Sequence, residues 1–142
     1  LDAIRQDTWP YAPRHFWRDW MAAIRREYPT LRVIGEVFEG DPTLVSFFQG
    51  GRQQFDGIDD GVHALFDYPT HFPARRAFGE GKPLKELAQM LGRDHVYPNP
   101  DMLMTFLGNH DVARQPSDAG HTVAGLKLGF TWLATTRGVP LL

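Results

Sequence analysis

Three carboxylates, Asp2, Glu36 and Asp111, each close an apolar stretch of the chain: Leu1-Asp2-Ala3, Val33-Ile34-Gly35-Glu36-Val37-Phe38 and Phe106-Leu107-Gly108-Asn109-His110-Asp111. Apolar surroundings penalise an acidic group at the end of a buried strand unless it is paired or does chemistry. Three in succession imply a shared acidic site, of the kind in which carboxyl groups with different proton affinities act as acid, base or nucleophile. Each also has an ordinary explanation. Asp2 reads equally as a solvated end group, Glu36 as half of a salt bridge, Asp111 as a turn residue or helix N-cap, and His110 as a surface-loop histidine.

A shared site needs elements that bring its members together. Between Pro13 and Tyr28 the spacing of Phe16, Trp17, Trp20, Met21 and Ile24 makes one face of a helix. Leu31 to Phe38 reads as a buried strand, with Ile34, Glu36 and Phe38 on one face and Val33, Gly35 and Val37 on the other. Asp41-Pro42 caps and starts a short helix that Gly50-Gly51 stops, and Val62 to Phe66 reads as a strand ending at Asp67-Tyr68-Pro69. Leu84, Leu87, Ala88 and Leu91 predict another helix, Tyr97-Pro98-Asn99-Pro100 a turn, and Met102 to Leu107 a strand. A loop is expected from Gly108 to Ala119, a helix from about Gly120 to Thr136 with Gly138 as its C-cap, and a new strand from Val139.

Strands alternating with helices imply parallel strands joined by crossovers, with functional residues beyond the strands' C-terminal ends. Glu36, Asp67 and Asp111 fall at that end. The pattern enters at the tail of one strand and leaves at the start of another. The expected fold is therefore α/β, the C-terminal part of a (β/α)8 TIM barrel, with residues 1–142 forming one partial barrel domain out of the roughly 250 residues a barrel takes.

Composition narrows the function. The chain is 42% hydrophobic and 23% charged with net charge −2, a globular rather than disordered balance. Scattered basic residues and near-neutral charge argue against nucleic acid as a partner, and no apolar run approaches the roughly 20 residues of a membrane helix. Without cysteine there is no disulfide, thiolate metal site or cysteine nucleophile. His15, His63, His71, His95 and His121 show no paired metal spacing, so no metal ligand is expected among them. Asp59 and Asp60 are expected to face solvent, and Asp67 to cap a helix or sit in a loop. The phosphate-cradling loops of a nucleotide-binding sheet, G-x-G-x-x-G and G-x-x-x-x-G-K-[ST], are absent.

Four motifs in order carry a specific resemblance, to the α-amylase superfamily of glycoside hydrolases (family 13), and it covers essentially the whole chain. Leu1-Asp2-Ala3 resembles the end of barrel strand four, which bears the nucleophile; Gly35-Glu36-Val37-Phe38 is similar to the strand-five motif bearing the general acid/base. Phe66-Asp67-Tyr68-Pro69 resembles a strand-six ending, Phe106-Leu107-Gly108-Asn109-His110-Asp111 the strand-seven motif that grips the sugar, and Gly138 to Leu142 the start of strand eight.

The resemblance implies a retaining glycosidase acting on α-1,4 bonds of starch-derived glucans, with α-1,6 bonds as a second class, its partner being an α-glucan oligosaccharide. In such chemistry one carboxylate attacks the anomeric carbon while a protonated carboxyl about 5 to 5.5 Å away protonates the departing oxygen. Asp2 would be the nucleophile, Glu36 the acid and later the base, and Asp111 the group that holds the distorted sugar, with His110 donating beside it. Where many relatives have Lys and His three and four positions after the nucleophile, counting from Asp2 gives Arg5 and Gln6, which makes Arg5 a substrate contact. The superfamily's Arg two residues before the nucleophile would then lie upstream of Leu1. Trp9 and Tyr11 follow the first strand, where aromatics either stack on sugar faces or join the core; Trp9 is taken as a substrate contact. No cofactor is required, and any calcium site belongs mainly to upstream loops. The stretches Asp7 to Pro13 and Glu39-Gly40-Asp41-Pro42 resemble neopullulanase and cyclomaltodextrinase relatives. The rival reading is a catalytically silent amylase-like domain that binds carbohydrate or a partner. The retention of all three carboxylates argues against it.

Overall fold

A computed structural model describes residues 1–114 and 122–142. Five short strands form one sheet in chain order: β1 (Ala3–Gln6), β2 (Arg32–Gly35), β3 (Ala64–Phe66), β4 (Leu103–Phe106) and β5 (Val139–Leu141). Every neighbouring pair is parallel. The helices α1 (Arg14–Glu27), α2 (Pro42–Ser46), α3 (Tyr68–Glu80), α4 (Lys85–Leu91) and α5 (Val123–Thr135) lie in the crossovers. This is the five-stranded parallel half-barrel that the strand–helix alternation predicts.

Side-chain alternation sorts the strands into two cores. Val33, Leu65 and Leu103 pack with Trp17 and Met21 of α1, together with Trp9 and Tyr97. Their neighbours in sequence, Ile34, Phe66 and Met104, point the other way and pack with Phe106, Tyr68 and Leu141. A strand buried on both faces leaves no polar alternation in sequence, which is why these segments read as continuous apolar runs.

Helix α3 occupies a stretch between Asp67 and Leu84 to which the sequence pattern assigns no element. Pro69 and Pro73 look like breakers. Pro69 falls in the first turn, where no N–H partner is needed, and only Pro73 sits inside the helix, at the cost of one backbone hydrogen bond. Asp67 caps the helix by accepting from Thr70 N at 3.2 Å. Burial of Tyr68, Thr70, His71 and Ala74 together removes the one-sided stripe by which helices are recognised.

Smaller differences have similar local causes. The turn at Tyr97 to Pro100 is flanked by 3₁₀ turns over Asp94–Val96 and Pro100–Met102. Helix α5 closes at Thr136 rather than Gly138. Gly138 instead takes φ 95° where the chain enters β5, and a Cβ there would lie 2.5 Å from the Leu103 carbonyl oxygen. Pro116, Ser117, Asp118, His121 and the start of the last predicted helix lie outside the described residues. No helix among the described residues is long and apolar enough to cross a membrane.

Among the described residues, the outer strands β1 and β5 each pair on one side only. Unpaired strand edges recruit other strands, so the 142-residue chain is expected to self-associate. Light scattering should report a mass above the 16.2 kDa monomer that rises with concentration; a concentration-independent monomer would contradict this.

Candidate active site

Register sets the level of the site. Gln6 of β1 pairs with Gly35 of β2, so the residues that follow, Asp7 and Glu36, leave the sheet side by side. Glu36 N donates to Gln6 O and Trp9 N donates to Glu36 O, both at 2.9 Å, which ties the chain after β1 to the chain after β2. Between these bonds Thr8 takes φ 49°, ψ 45°. A β-branched residue in the left-handed region is strained. Here the conformation aims Thr8 N at Glu36 Oε2, 3.3 Å away.

Arg5, on the same face of β1, supplies the positive centre. Its Nη2 lies 2.7 Å from Glu36 Oε1, 3.0 Å from Asp7 Oδ1 and 3.3 Å from Asp111 Oδ2. One nitrogen thus touches three carboxylates, which limits their separations from one another to roughly twice an ion-pair distance. Burial opposes the charge on Arg5, but Glu36, then Asp7 and Asp111, outweigh it and hold the guanidinium above its usual value. The group also lies over the Phe66 ring, 5.8 Å from its centroid.

Glu36 is buried, while Asp7, Asp111 and His110 are open to solvent to different degrees, with side-chain exposures of 59%, 35% and 64%. His110 Nε2 contacts Asp111 Oδ2 at 3.1 Å. Asn109 fixes that loop, its Oδ1 accepting from Asp111 N at 2.9 Å and Val112 N at 3.1 Å. The same amide donates to the Tyr68 hydroxyl at 3.1 Å. Burial, opposed by this hydrogen bond and reinforced by Glu36 and Asp111, pushes the Tyr68 phenol up to about 12, so it stays protonated and donates to Glu36 Oε1 at 3.3 Å. A cavity of about 280 Å³ opens beside Glu36, lined by Thr8, Pro10, Tyr11, Phe38 and Leu44 among others.

The structure brings Glu36, Asp111, His110 and Arg5 together, and corrects three sequence expectations. Asp2 precedes β1, its carbonyl accepting from Arg32 N at the start of β2. It lies a strand's length from Glu36, about 15 Å at the usual rise per residue. The strand runs from Ala3 to Gln6, so Leu1-Asp2-Ala3 is its beginning, and the carboxylate at its end is Asp7. Trp9 is fully buried, stacked on Trp17 at 4.0 Å and donating Nε1–H to Asp60 Oδ2, and cannot meet a sugar; the exposed aromatic of that segment is Tyr11. Asp60 is buried rather than solvated, bonded also by Arg14 Nε, and burial pushes its carboxyl above the usual range despite both partners. Arg5 meets the three carboxylates and keeps part of its side chain exposed. Asp67 stands apart, capping α3 and paired with Arg137. Among the described residues no group of three or more His, Asp or Glu is placed to hold a metal ion.

No protein-family model matches the chain. Over 149 aligned residues it is 25% identical to a β/α-amylase of Paenibacillus polymyxa, covering 100% of this chain and 11% of that protein. A cyclomaltodextrinase of Geobacillus thermopakistaniensis is 28% identical over 99% of this chain and 22% of its own length. The solved α-amylase of Anoxybacillus superposes with TM-score 0.84 at 29% identity, covering 99% of this chain and 30% of that one. The chain spans less than a quarter of the length of these curated relatives.

His71 under the site is fully buried, stacked on Phe106 at 4.4 Å, with Nδ1 3.3 Å from the Phe106 carbonyl and Nε2 without a hydrogen-bond partner among the described residues. Burial pushes it down to about 4 from 6.5. The unfolded chain therefore takes up the proton first as pH falls. The stability held by neutral His71 should be complete above its ordinary value and lost progressively as pH falls through 4, by about 3 kcal/mol at most. Urea midpoints between pH 7 and 4 should fall more in the wild type than in His71→Phe; parallel curves would refute this.

Proposed function

We propose, for a chain whose sequence and fold are those of the second half of an α-amylase-superfamily barrel, that the Arg5-centred cluster belongs to a retaining glycosidase acting on α-glucan oligosaccharides, with Asp7 as nucleophile and Glu36 as general acid and base. The observation that carries this is the contact of one Arg5 nitrogen with Asp7, Glu36 and Asp111 together. It supports Asp7 over Asp2 in a second way. Arg5 stands two residues before Asp7, the spacing at which the superfamily carries the Arg that keeps its nucleophile ionised. Counted from Asp7, the positions of the leaving-group-side Lys and His are Pro10 and Tyr11, both at the cavity beside Glu36.

The chemistry follows from the roles. Asp7 attacks the anomeric carbon as its bond to the departing oxygen breaks, and Glu36 gives its proton to that oxygen. Water then attacks the same carbon, Glu36 takes the water's proton, and the bond to Asp7 breaks, restoring the starting anomeric configuration. Asp111 and His110 hold sugar hydroxyls through the cationic transition state. The bonds cleaved are those of α-glucans, α-1,4 first, and the amylase and cyclomaltodextrinase among the relatives support an α-glucan substrate.

In a chain carrying the complete barrel, Asp7→Asn and Glu36→Gln should each lower kcat on maltooligosaccharides by roughly a thousandfold or more with the fold retained. Asp2→Asn should stay within about threefold of wild type. Loss of activity in Asp2→Asn with survival of Asp7→Asn would reverse the assignment. Proton NMR of the first-formed product should show the substrate's anomer; the opposite anomer would rule out retention.

A further inference from the structure

We propose that Tyr68 is a positioning residue for Glu36: its buried hydroxyl fixes Glu36 Oε1 and links it through Asn109 to the loop that carries Asp111. The inference rests on the reading of Glu36 as acid and base, and goes beyond it by assigning a neutral partner that holds the carboxyl in both of its states.

Packing alone does not call for the hydroxyl. The Tyr68 ring is fully buried among Phe38 at 4.4 Å, Phe106 at 5.1 Å and Phe72 at 5.9 Å, a setting that phenylalanine would fill equally well. A phenol oxygen taken out of water costs free energy unless it is bonded. Its two partners are both at the site, Glu36 Oε1 and Asn109 Nδ2. The direction of the chain is fixed from the far end. Asn109 Oδ1 is occupied by Asp111 N and Val112 N, so its NH₂ faces Tyr68, the phenol oxygen accepts from it, and the phenol hydrogen is left for Glu36.

Glu36 and Asp111 are therefore joined twice, once by the charged Arg5 and once by the neutral Tyr68–Asn109 pair. The two links differ in what they can do. A guanidinium favours the anion, whereas a phenol donates to a carboxylate or to the carbonyl oxygen of a protonated carboxyl. Tyr68 can thus hold the group while its proton leaves and returns. Oε1 takes both Arg5 and Tyr68, while Oε2 has, among the described residues, only the 3.3 Å contact with Thr8 N. The mobile proton accordingly belongs on Oε2.

Leaving-group dependence of kcat/KM tests the role, because that ratio reports the steps up to the glycosyl-enzyme, in which Glu36 acts only as an acid and matters only when the departing oxygen needs a proton. In a complete-barrel chain, Tyr68→Phe should lower kcat/KM on maltooligosaccharides about tenfold, yet change kcat/KM on α-maltosyl fluoride, whose fluoride departs unprotonated, by less than about threefold. Asn109→Asp supplies a second route should the first variant fold poorly: it keeps the acceptor for Asp111 N and Val112 N but draws the phenol hydrogen away from Glu36, and should show the same selective loss. Equal losses on both substrates, or none on either, would overturn the positioning role. Glu36→Gln separates the two readings: if it leaves maltooligosaccharide turnover intact, the acid assignment fails; if it shows the selective loss while Tyr68→Phe does not, only Tyr68 fails.

Discussion

The contact between the Arg5 guanidinium and three carboxylates is the constraint on which the site depends. Carboxylates just past β1, just past β2 and in the loop after β4 repel one another, and without a cation among them they would spread apart or neutralise. Arg5 offsets that repulsion where its guanidinium lies over the Phe66 ring. The pairs reinforce one another: the carboxylates hold the guanidinium against the burial that opposes its charge. An exposed salt bridge would be worth little. This one includes the buried Glu36 and takes its direction from the strand beneath it.

The scaffold is arranged to keep that strand in register. Trp9, just past Asp7, enters the core between β2 and α1, where its ring stacks on Trp17, its carbonyl accepts from Trp17 Nε1 at 2.6 Å and its indole donates to Asp60. Arg14, at the start of α1, bonds Asp60 and the Ile58 carbonyl, so the loop before β3 is drawn under the same tryptophan. The strained Thr8 sits between this anchor and Asp7. Its unfavourable backbone is held by Trp9 N and Glu36 O on one side and by the sheet pairing of Gln6 on the other. Burial of Trp9 thus serves the site indirectly, by fixing the turn on which Asp7 stands.

Much of the element order was legible because hydrophobic period and punctuation agree. α1 shows a one-sided aromatic stripe, α2 an Asp-Pro start that the structure uses as a cap, with Asp41 accepting from Thr43 N at 2.8 Å. Glu36 and Asp111 were legible as site members because each interrupts or ends an apolar run. α3 was not, since two prolines and burial on several sides conceal a helix. Asp2 and Asp7 illustrate a sharper limit. Both are aspartates flanking the same short strand, and Leu-Asp-Ala looks like a strand end until the pairing of Ala3 with Arg32 shows it to be a beginning. The Arg-x-Asp spacing of Arg5 and Asp7 was the signal in the sequence that could have corrected it.

By itself, then, the sequence determined the alternation of strands and helices, the parallel sheet and the acidic character of its C-terminal rim, because periodicity and turn chemistry are local and survive without knowledge of what packs against what. Tertiary structure decided which aspartate meets Glu36, which aromatic is core and which is open, and that Tyr68 and Asn109 join the site. Those outcomes depend on strand register and on burial from distant segments, and a shift of a few residues along a strand moves a carboxylate from one end of the sheet to the other.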